Sequence, residues 1–202
     1  MPSDSRLAVP AWAKPLYDLI DRGAEAILRG EQDRDRPLIT AGNAVWAELV
    51  NQTLTITQTF PPDTAVTRTF IEHDLPKVVD HLHRAAAALE ELGALSRECT
   101  DAVYTQRQPF IRFIERIESQ GYRVDTETFT TVVDGLDWSP DDGDGSVAGV
   151  QLAAEGIARA EQAALHQRRL QRMNAAIQNV ETQYAQRIYA LRDRLCRHDL
   201  ET

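Results

Sequence analysis

Two residues near the end of the chain have a spacing suited to recognition by another protein. Tyr189 and Asp193 are four positions apart in the stretch YALRD. On a helix this spacing places the phenol and the carboxylate about one turn apart on one strip of surface. The alternative interpretation is that Tyr189 is a residue of an amphipathic helix seam and that Asp193 is a solvated aspartate beside it. The same loose pattern also occurs at Tyr17 and Asp21, so the spacing alone has low specificity.

The histidines are the first candidates for a metal site. His73, His81 and His83 lie within eleven residues, beside Asp80. On a helix, however, His81 and His83 point about 200° apart, and His73 and Asp80 are separated by about 10 Å along the axis. The repeated Glu-x-x-His pairs of a di-iron bundle are also absent. We therefore expect no metal or other cofactor, and histidines that lie on solvated helix faces.

The acidic stretch DDGDG at 141–145 invites comparison with a calcium-binding loop. Asp142 and Asp144 would occupy the third and fifth ligand positions of such a loop. The first and twelfth positions would then be Pro140 and Gln151, neither of which supplies a carboxylate. We interpret the stretch as an acidic turn that caps a helix beginning at Val147.

Nucleophilic and phosphate-binding signatures are missing from the sequence. It contains no Gly-x-Ser-x-Gly, no phosphate-cradling glycine loop and no His-Glu-x-x-His. Cys99 and Cys196 would lie roughly 40 Å apart in a helical hairpin, far beyond the ~7 Å that a disulfide permits, so both should be free thiols. We expect a protein that is not an enzyme. A metal-dependent enzyme that uses the acidic turn or the histidines is the remaining alternative.

Charge and hydropathy exclude several classes of partner. The 202 residues include 31 acidic and 22 basic side chains, for a net charge of −9. That balance, without a Lys/Arg cluster, argues against nucleic acid and against an anionic membrane surface. No apolar run approaches the ~18 residues of a membrane span, and the first residues lack a signal-peptide core. Any export would therefore follow a signal-peptide-independent route.

Helical periodicity dominates the first half of the chain. One short helix is predicted around Leu16–Leu28 and a second over Thr40–Thr55, although the alternation in NQTLTITQTF also fits a strand. Asp74 is placed as an N-cap. Beyond it, apolar residues predict either two helices at about 75–95 and 97–120 or one long bent helix. Their seam is Leu75, Val79, Leu82, Ala86, Leu89, Leu92, Cys99, Val103, Phe110, Ile114 and Ile117.

The second half predicts a short hairpin and then one long helix. Gly121 should end the preceding helix in the left-handed conformation, and Tyr122–Val124 and Phe129–Val133 should pair as strands. A helix over Val147–Cys196 would be about 75 Å long and would need a partner along its length. Its seam is Val150, Ala154, Ile157, Ala160 and Ala164, then Met173, Ile177, Val180, Tyr184, Ile188, Leu191 and Leu195.

These elements predict an all-α fold, a long antiparallel helical hairpin or bundle with a short β-hairpin in the connector. Residues 1–62 should form an N-terminal helical subdomain. Residues 63–202 should form the long hairpin, with 121–146 as the connector.

The order of elements in the second half resembles a recurring module of actinobacterial proteins. In that module a helix ending in a sequence such as IESQGYRV leads to a hairpin, an acidic turn and a long Ala/Gln-rich helix. The matching segments here are 113–124, 126–133, 140–145 and 147–196. The resemblance is to helical modules associated with type VII secretion, distant relatives of the Trp-x-Gly helical-hairpin substrates, although Trp-x-Gly itself does not occur. It implies that Tyr189 and Asp193 act as an export signal.

The resulting functional hypothesis is a non-enzymatic helical interaction protein of a type VII-like secretion system. It would be an exported substrate or the helical partner of one, cytoplasmic before export and then secreted or held in the cell envelope. Its partners would be the secretion machinery and another helical protein or a second copy of itself. The expected interaction seam is Ile177, Val180, Tyr184, Ile188 and Leu191. The alternative is a cytosolic helical adaptor or chaperone that is not exported.

Overall fold

The structure is a computed structural model that describes residues 9–31, 36–125, 127–136, 138 and 147–198. Over these residues the chain forms four α-helices and one two-stranded antiparallel hairpin. The helices are α1 (Lys14–Glu31), α2 (Pro37–Thr59), α3 (Leu75–Ser119) and α4 (Val147–His198); the strands are β1 (Tyr122–Val124) and β2 (Val132–Asp134). The predicted all-α fold with a short hairpin between the last two helices is confirmed.

Contacts within the chain separate two compact units. Unit 1 comprises residues 1–99 and 181–202, and unit 2 comprises residues 100–180. Helices α3 and α4 therefore each contribute one segment to each unit. This division runs through helices, so it is of a different kind from the predicted subdomain boundary near residue 62, which stays a prediction.

Unit 1 is built on the close packing of α1 and α2. A side chain at Gly23 would collide with Val50 of α2, so this glycine allows the two helices to approach each other. The core adds the first half of α3 and the end of α4. Its buried members are Ala41, Val45, Leu49, Ala85, Ala88, Leu92, Leu95, Ala185, Ile188 and Leu191.

The α3 and α4 segments of unit 1 run antiparallel. Arg187 bonds to Glu98 at 3.0 Å, and Arg194 bonds to Glu91, so residue numbers rise along one helix as they fall along the other. Both bridges lie at the surface, where such pairs contribute about 0–1 kcal/mol each. Burial of the apolar core, rather than these pairs, holds the helices together.

Unit 2 encloses a second core, between the other segments of α3 and α4 and the hairpin. Its buried members are Phe110, Phe113, Ile117, Tyr122, Val124, Val132, Ala163, Leu170 and Ile177. Strand β1 buries Tyr122 and Val124 and exposes Arg123, the period of two expected of a strand covered on one face. The hairpin therefore closes the core over α3 and α4.

Local predictions in the first half needed several corrections. The strand alternative for NQTLTITQTF is wrong, because the whole segment is helical within α2. Asp74 is not an N-cap: a π-helical turn over Phe70–Asp74 leads directly into α3. Between the two alternatives for 75–120, the structure has a single helix that continues through Pro109.

The connector follows its prediction in part. Gly121 has φ +87°, the left-handed conformation expected after a helix, and β1 has its predicted bounds. The second strand begins at Val132 rather than Phe129. Phe129 instead lies in the turn with φ 54°, and the Asp125 carboxylate accepts hydrogen bonds from the backbone of Glu127 and Thr128. The acidic turn at 140–145 lies outside the described residues.

The N-terminal half of α4 differs from the predicted seam. Val150 and Ile157, expected to be buried, are 69% and 65% exposed, whereas Ala163, His166 and Leu170 form the buried face. Along the part of the chain that the structure describes, no helix has both the length and the apolar composition needed to cross a bilayer.

Candidate functional site

The last turns of α4 hold Tyr189 and Asp193 at the edge of the unit 1 core. Ile188 and Leu191 are buried and fix the rotation of the helix about its axis. Because each residue advances about 100°, Tyr189 lies at the boundary between the packed face and the surface. Its ring packs partly against the core, while Asp193, one turn later, is exposed.

Arg192 joins the two residues of the predicted signal. Its guanidinium carbon lies 5.4 Å from the centre of the Tyr189 ring, within cation–π range. The same guanidinium donates to Asp193 Oδ1 from Nη2 at 2.6 Å and from Nε at 3.0 Å. The hydrogen bond to Asp193 raises the pKa of Arg192 above its ordinary value. Phenol, guanidinium and carboxylate therefore form one continuous surface strip.

A related stack precedes this strip on the same helix. Arg187 lies 4.8 Å from the centre of the Tyr184 ring, again with the arginine three residues after the tyrosine. Arg187 also bonds to Glu98 of α3, so its guanidinium is held between an aromatic ring and a carboxylate. The end of α4 thus presents two successive tyrosine–arginine–carboxylate groups.

The other copy of the pattern lies in α1 and differs from the first. Tyr17 is half-buried and Asp21 is exposed. The residue three positions after Tyr17 is Ile20, so the arginine stack of Tyr189 has no counterpart at this spacing. Tyr17 and Asp21 therefore provide a natural control for the loose sequence pattern.

The predicted interaction seam lies largely inside the fold. Ile188 and Leu191 belong to the unit 1 core and Ile177 to the unit 2 core. Val180 and Tyr184 are half-buried. These side chains hold the chain's own helices together and are not available as a docking surface in this fold.

The histidine prediction requires two corrections, of which the first is His81. His73 and His83 are exposed, as expected, but His81 is buried in unit 1. Its Nε2 lies 2.9 Å from the hydroxyl of buried Thr53. That hydroxyl also donates to the Leu49 carbonyl at 2.6 Å, which leaves its oxygen to accept from the imidazole.

His166 is the second correction, because it is also buried. It packs edge-on against the rings of Phe113 and Tyr122, with centroids 5.7 and 5.2 Å away. Burial, and secondarily the charge of Arg169, lower the pKa of His166. Among the described residues, no three His, Cys, Asp or Glu side chains are grouped so that they could hold a metal ion.

Sequence reasoning missed the strongest polar cluster, which is centred on Asp134 at the end of β2. Arg159 of α4 binds both carboxylate oxygens, at 2.7 and 2.8 Å, and Trp138 Nε1 donates to Oδ2 at 2.7 Å. The Arg159 bonds, opposed by desolvation and helped by Trp138, hold the pKa of Asp134 far below its ordinary value. The Asp134 carboxylate is therefore held ionised by its bonds to Arg159 and Trp138 and is a poor proton acceptor.

The Arg159 guanidinium also contacts other groups of this cluster. It donates to the Gln120 carbonyl at 3.1 Å and stacks 4.3 Å from the centre of the Tyr122 ring. Trp138 packs on Gly156, where any side chain would press against the indole. The cluster fastens the hairpin to α4. The signal that the sequence offers for this cluster is Trp138, four residues after Asp134.

The two cysteines are free thiols, as predicted. Cys99 is buried, and its burial, followed by the charge of Glu181, raises its pKa. Burial and a hydrogen bond with Glu48 likewise raise the pKa of Cys196. Both environments favour the neutral thiol, whereas a nucleophilic cysteine needs a lowered pKa.

Each unit also carries a shallow groove. One groove in unit 1, the Trp46 groove, has a volume of about 300 Å³ and is mainly apolar, with Trp46, Leu82 and Leu89 among its lining residues together with Asp18 and Arg22. One groove in unit 2 has a volume of about 330 Å³ and is lined in part by Phe110 and Phe129.

No protein-family model matches the sequence, and no curated protein or solved structure is significantly similar to it.

Proposed function

We propose that this chain is a non-enzymatic helical interaction protein of a type VII-like secretion system, either an exported substrate or the helical partner of one. Tyr189 and Asp193 would be the residues that the export machinery reads. The observation that carries the proposal is the strip at the end of α4, where Arg192 joins the Tyr189 ring to the exposed Asp193 carboxylate.

Recognition of this strip needs a rigid support. Ile188 and Leu191 anchor the helix in the unit 1 core, so the strip is presented without a further ordering step. A binding surface that is already ordered loses less conformational entropy on association than a flexible one. Aromatic and arginine side chains are also the residues most often found at the energetic centre of interfaces.

Export from the native host tests the proposal directly. The wild-type chain should be found in culture filtrate or the cell envelope, and Asp193→Ala should reduce export at least tenfold. Asp193 is the sharper choice because its side chain is exposed, so its loss leaves core packing unchanged. Tyr189→Ala should act in the same direction, with circular dichroism used to check that the core is intact.

The matched control is Tyr17→Ala with Asp21→Ala, which removes the same pattern from α1. Export of this variant should equal that of the wild type. Retention of the wild-type chain in the cell, or equal export of Asp193→Ala and the wild type, would contradict the proposal.

The Trp46 groove favours a second candidate, a resident adaptor or chaperone. Its apolar lining around Trp46 is suited to an apolar side chain or helix of another protein. Trp46→Ala should then weaken binding of that protein, and both the wild type and the variant should remain in the cell. Cell fractionation separates the two candidate functions, because an adaptor stays in the cytosol in both the wild type and Asp193→Ala.

A further inference from the structure

The middle of α4 carries arginines whose charge is not neutralised within the described residues. Arg169 and Arg172 form no ion pair with any carboxylate of that part of the chain, and Arg172 bonds only to the backbone carbonyl of Arg168, from Nε at 3.4 Å. Elsewhere on the same helix, four arginines each form an ion pair with an acidic side chain: Arg159, Arg187, Arg192 and Arg194. The middle arginines therefore keep their donors for a group outside the chain.

The neighbouring segment of α3 extends this positive region. Residues 102–114 of α3 and 162–180 of α4 contribute to the same core, in which Phe113 and Leu170 are buried. Together these two segments contain five arginines and no aspartate, glutamate or lysine. The chain has a net charge of −9, yet this part of unit 2 has a local excess of positive charge.

A groove between α3 and α4 lies within the positive region. It has a volume of about 420 Å³, and its lining residues are Gln106, Pro109, Arg169, Arg172, Met173 and Ala176. The Arg169 guanidinium stacks on the Phe113 ring, with its carbon 4.5 Å from the ring centre. Stacking uses the face of the guanidinium, whereas its N–H groups lie in the plane. Arg169 is therefore held in place and can still donate to an acceptor in the groove.

We propose that this groove, which we call the Arg169 groove, binds an acidic helix of another protein. Two carboxylates of that helix bond to Arg169 and Arg172, and one aliphatic side chain between them packs on Pro109, Met173 and Ala176. The proposal rests on the proposed function in one respect, that the chain acts by binding another helical protein. It specifies the chemistry of that partner.

The spacing of the two arginines matches carboxylates one turn apart on a helix. Arg169 and Arg172 are three residues apart on α4, which separates their backbones by about 4.5 Å along the axis. Acidic residues three or four positions apart on a partner helix are separated by a similar distance, about 5–6 Å. Both positive residues of the groove are arginines, whose planar fork of donors binds a carboxylate through two parallel hydrogen bonds.

An acidic protein segment fits the Arg169 groove better than a nucleic acid does. Pro109, Met173 and Ala176 give the groove an apolar part, and a phosphate backbone has no aliphatic side chain to cover it. Among the six described lining residues none is aromatic, so the groove lacks rings on which unpaired bases could stack. The net charge of −9 also repels a long polyanion, whereas a short acidic helix meets mainly the local positive region.

Fluorescence polarisation with the full-length protein tests the proposal. The probe is a labelled, end-capped, alanine-based helical peptide of about 16 residues, with glutamates one turn apart around a central leucine. The control probe has glutamine in place of every glutamate. The glutamate peptide should bind with a dissociation constant below about 1 mM, and the glutamine peptide at least tenfold more weakly. No binding of the glutamate peptide, or equal binding of the two peptides, would overturn the proposal.

Two substitutions that remove the same charge locate the binding site. Arg172→Gln removes a guanidinium from the Arg169 groove and should raise the dissociation constant of the glutamate peptide at least threefold. Arg107→Gln removes a guanidinium of α3 that lines the groove beside Phe129 and should change it less than twofold. Both side chains are exposed, so both variants should retain the wild-type circular dichroism spectrum. Equal effects of the two substitutions would indicate a general effect of charge and would refute the assignment to this groove.

A single-stranded DNA oligonucleotide of similar charge is the third probe. It should bind at least tenfold more weakly than the glutamate peptide, and tighter binding of the DNA would overturn the choice of an acidic helix. All of these measurements use purified protein and defined probes. They can therefore fail while the export prediction holds, and the reverse is equally possible.

Discussion

The packing of Ile188 gives the most quantitative prediction for the fold. This side chain is fully buried in the unit 1 core, among residues of α2 and α3. Ile188→Ala removes three carbon atoms, which costs about 2.4 kcal/mol at ~0.8 kcal/mol for each buried methylene. The cavity left behind adds to this, and Ile→Ala substitutions in cores cost about 2–5 kcal/mol in total. We expect a loss of about 3–4 kcal/mol in the free energy of unfolding.

Tryptophan fluorescence during urea unfolding can measure this loss within unit 1. Trp12 and Trp46 both belong to that unit, and Trp12 packs 5.2 Å from the Phe70 ring. Parent and variant should both carry Trp138→Phe, so that the emission comes from Trp12 and Trp46 alone. The midpoint of the transition should fall, with the slope unchanged if the transition remains two-state.

Ile71→Ala is the matched control. It removes the same three carbon atoms from an isoleucine in unit 1 that is 51% exposed. About half of the transfer cost then applies and no closed cavity forms, so the loss should be about 1 kcal/mol. If Ile188→Ala costs no more than Ile71→Ala, the C-terminal segment of α4 does not pack in the unit 1 core as described, and the support for the Tyr189 strip is lost.

Three further predictions concern two buried polar side chains and the half-buried carboxylate of Asp134. Thr53→Val removes the hydroxyl partner of His81 and should lower the free energy of unfolding by about 1–3 kcal/mol. Thr55→Val removes only an exposed hydroxyl bonded to the Asn51 carbonyl and should lower it by less than about 0.5 kcal/mol, which urea unfolding of both variants measures. The pKa of Asp134 is lowered from 3.8, so ionised Asp134 stabilises the folded state above that pH, and this stabilisation is lost as the pH falls through the folded-state pKa. The melting temperatures of the wild type and Asp134→Asn should therefore differ most near pH 7 and converge below pH 4. The pKa of His166 is lowered from 6.5, so the folded state with neutral His166 is most stable above pH 6.5 and loses stability as the pH falls further. His166→Phe should therefore flatten the decline in melting temperature between pH 7 and pH 5. An unchanged slope would contradict the burial of the imidazole.

The helical content of the chain was predictable because its apolar residues recur at steps of three and four. The C-terminal half of α4 is the clearest case, since Ile177, Ile188 and Leu191 are buried as the periodicity indicated. Periodicity failed in α2 for an identifiable reason. Alternating Thr with Leu54 and Ile56 satisfies a period of two, yet the helix buries Thr53 and Thr57. Their hydroxyls donate to backbone carbonyls three and four residues earlier, so the helix itself satisfies them.

In the first turns of α3 the buried face lies beside the predicted one, because the most apolar side chains are not the ones that are buried there, whereas Leu92, Cys99, Phe110 and Ile117 are buried as predicted. The prediction placed Val79 and Ala86 in the seam, but the structure buries Val78, His81 and Ala85. In unit 1 this helix shares a core with α2 and α4, and its buried positions there include Ala85, Ala88 and His81, which is hydrogen-bonded to Thr53. The larger Leu82 and Leu89 lie at the Trp46 groove instead.

The N-terminal half of α4 shows why a periodic pattern identifies a face but not the element that covers it. Val150 and Ile157 satisfy the seam spacing as well as Ile188 and Leu191 do, yet only the latter pair is buried. What distinguishes the two halves is the opposite face. Around Ile188 the other side of the helix carries charges, whereas near Ile157 it supplies Ala163 and Leu170 to unit 2 and Arg159 to the Asp134 cluster. Once that second face is buried by the hairpin and α3, the same helix cannot also turn Ile157 inward. The same spacing therefore marks both a buried and an exposed face of this helix, and the packing of the opposite face against the hairpin and α3 decides which of the two the fold buries.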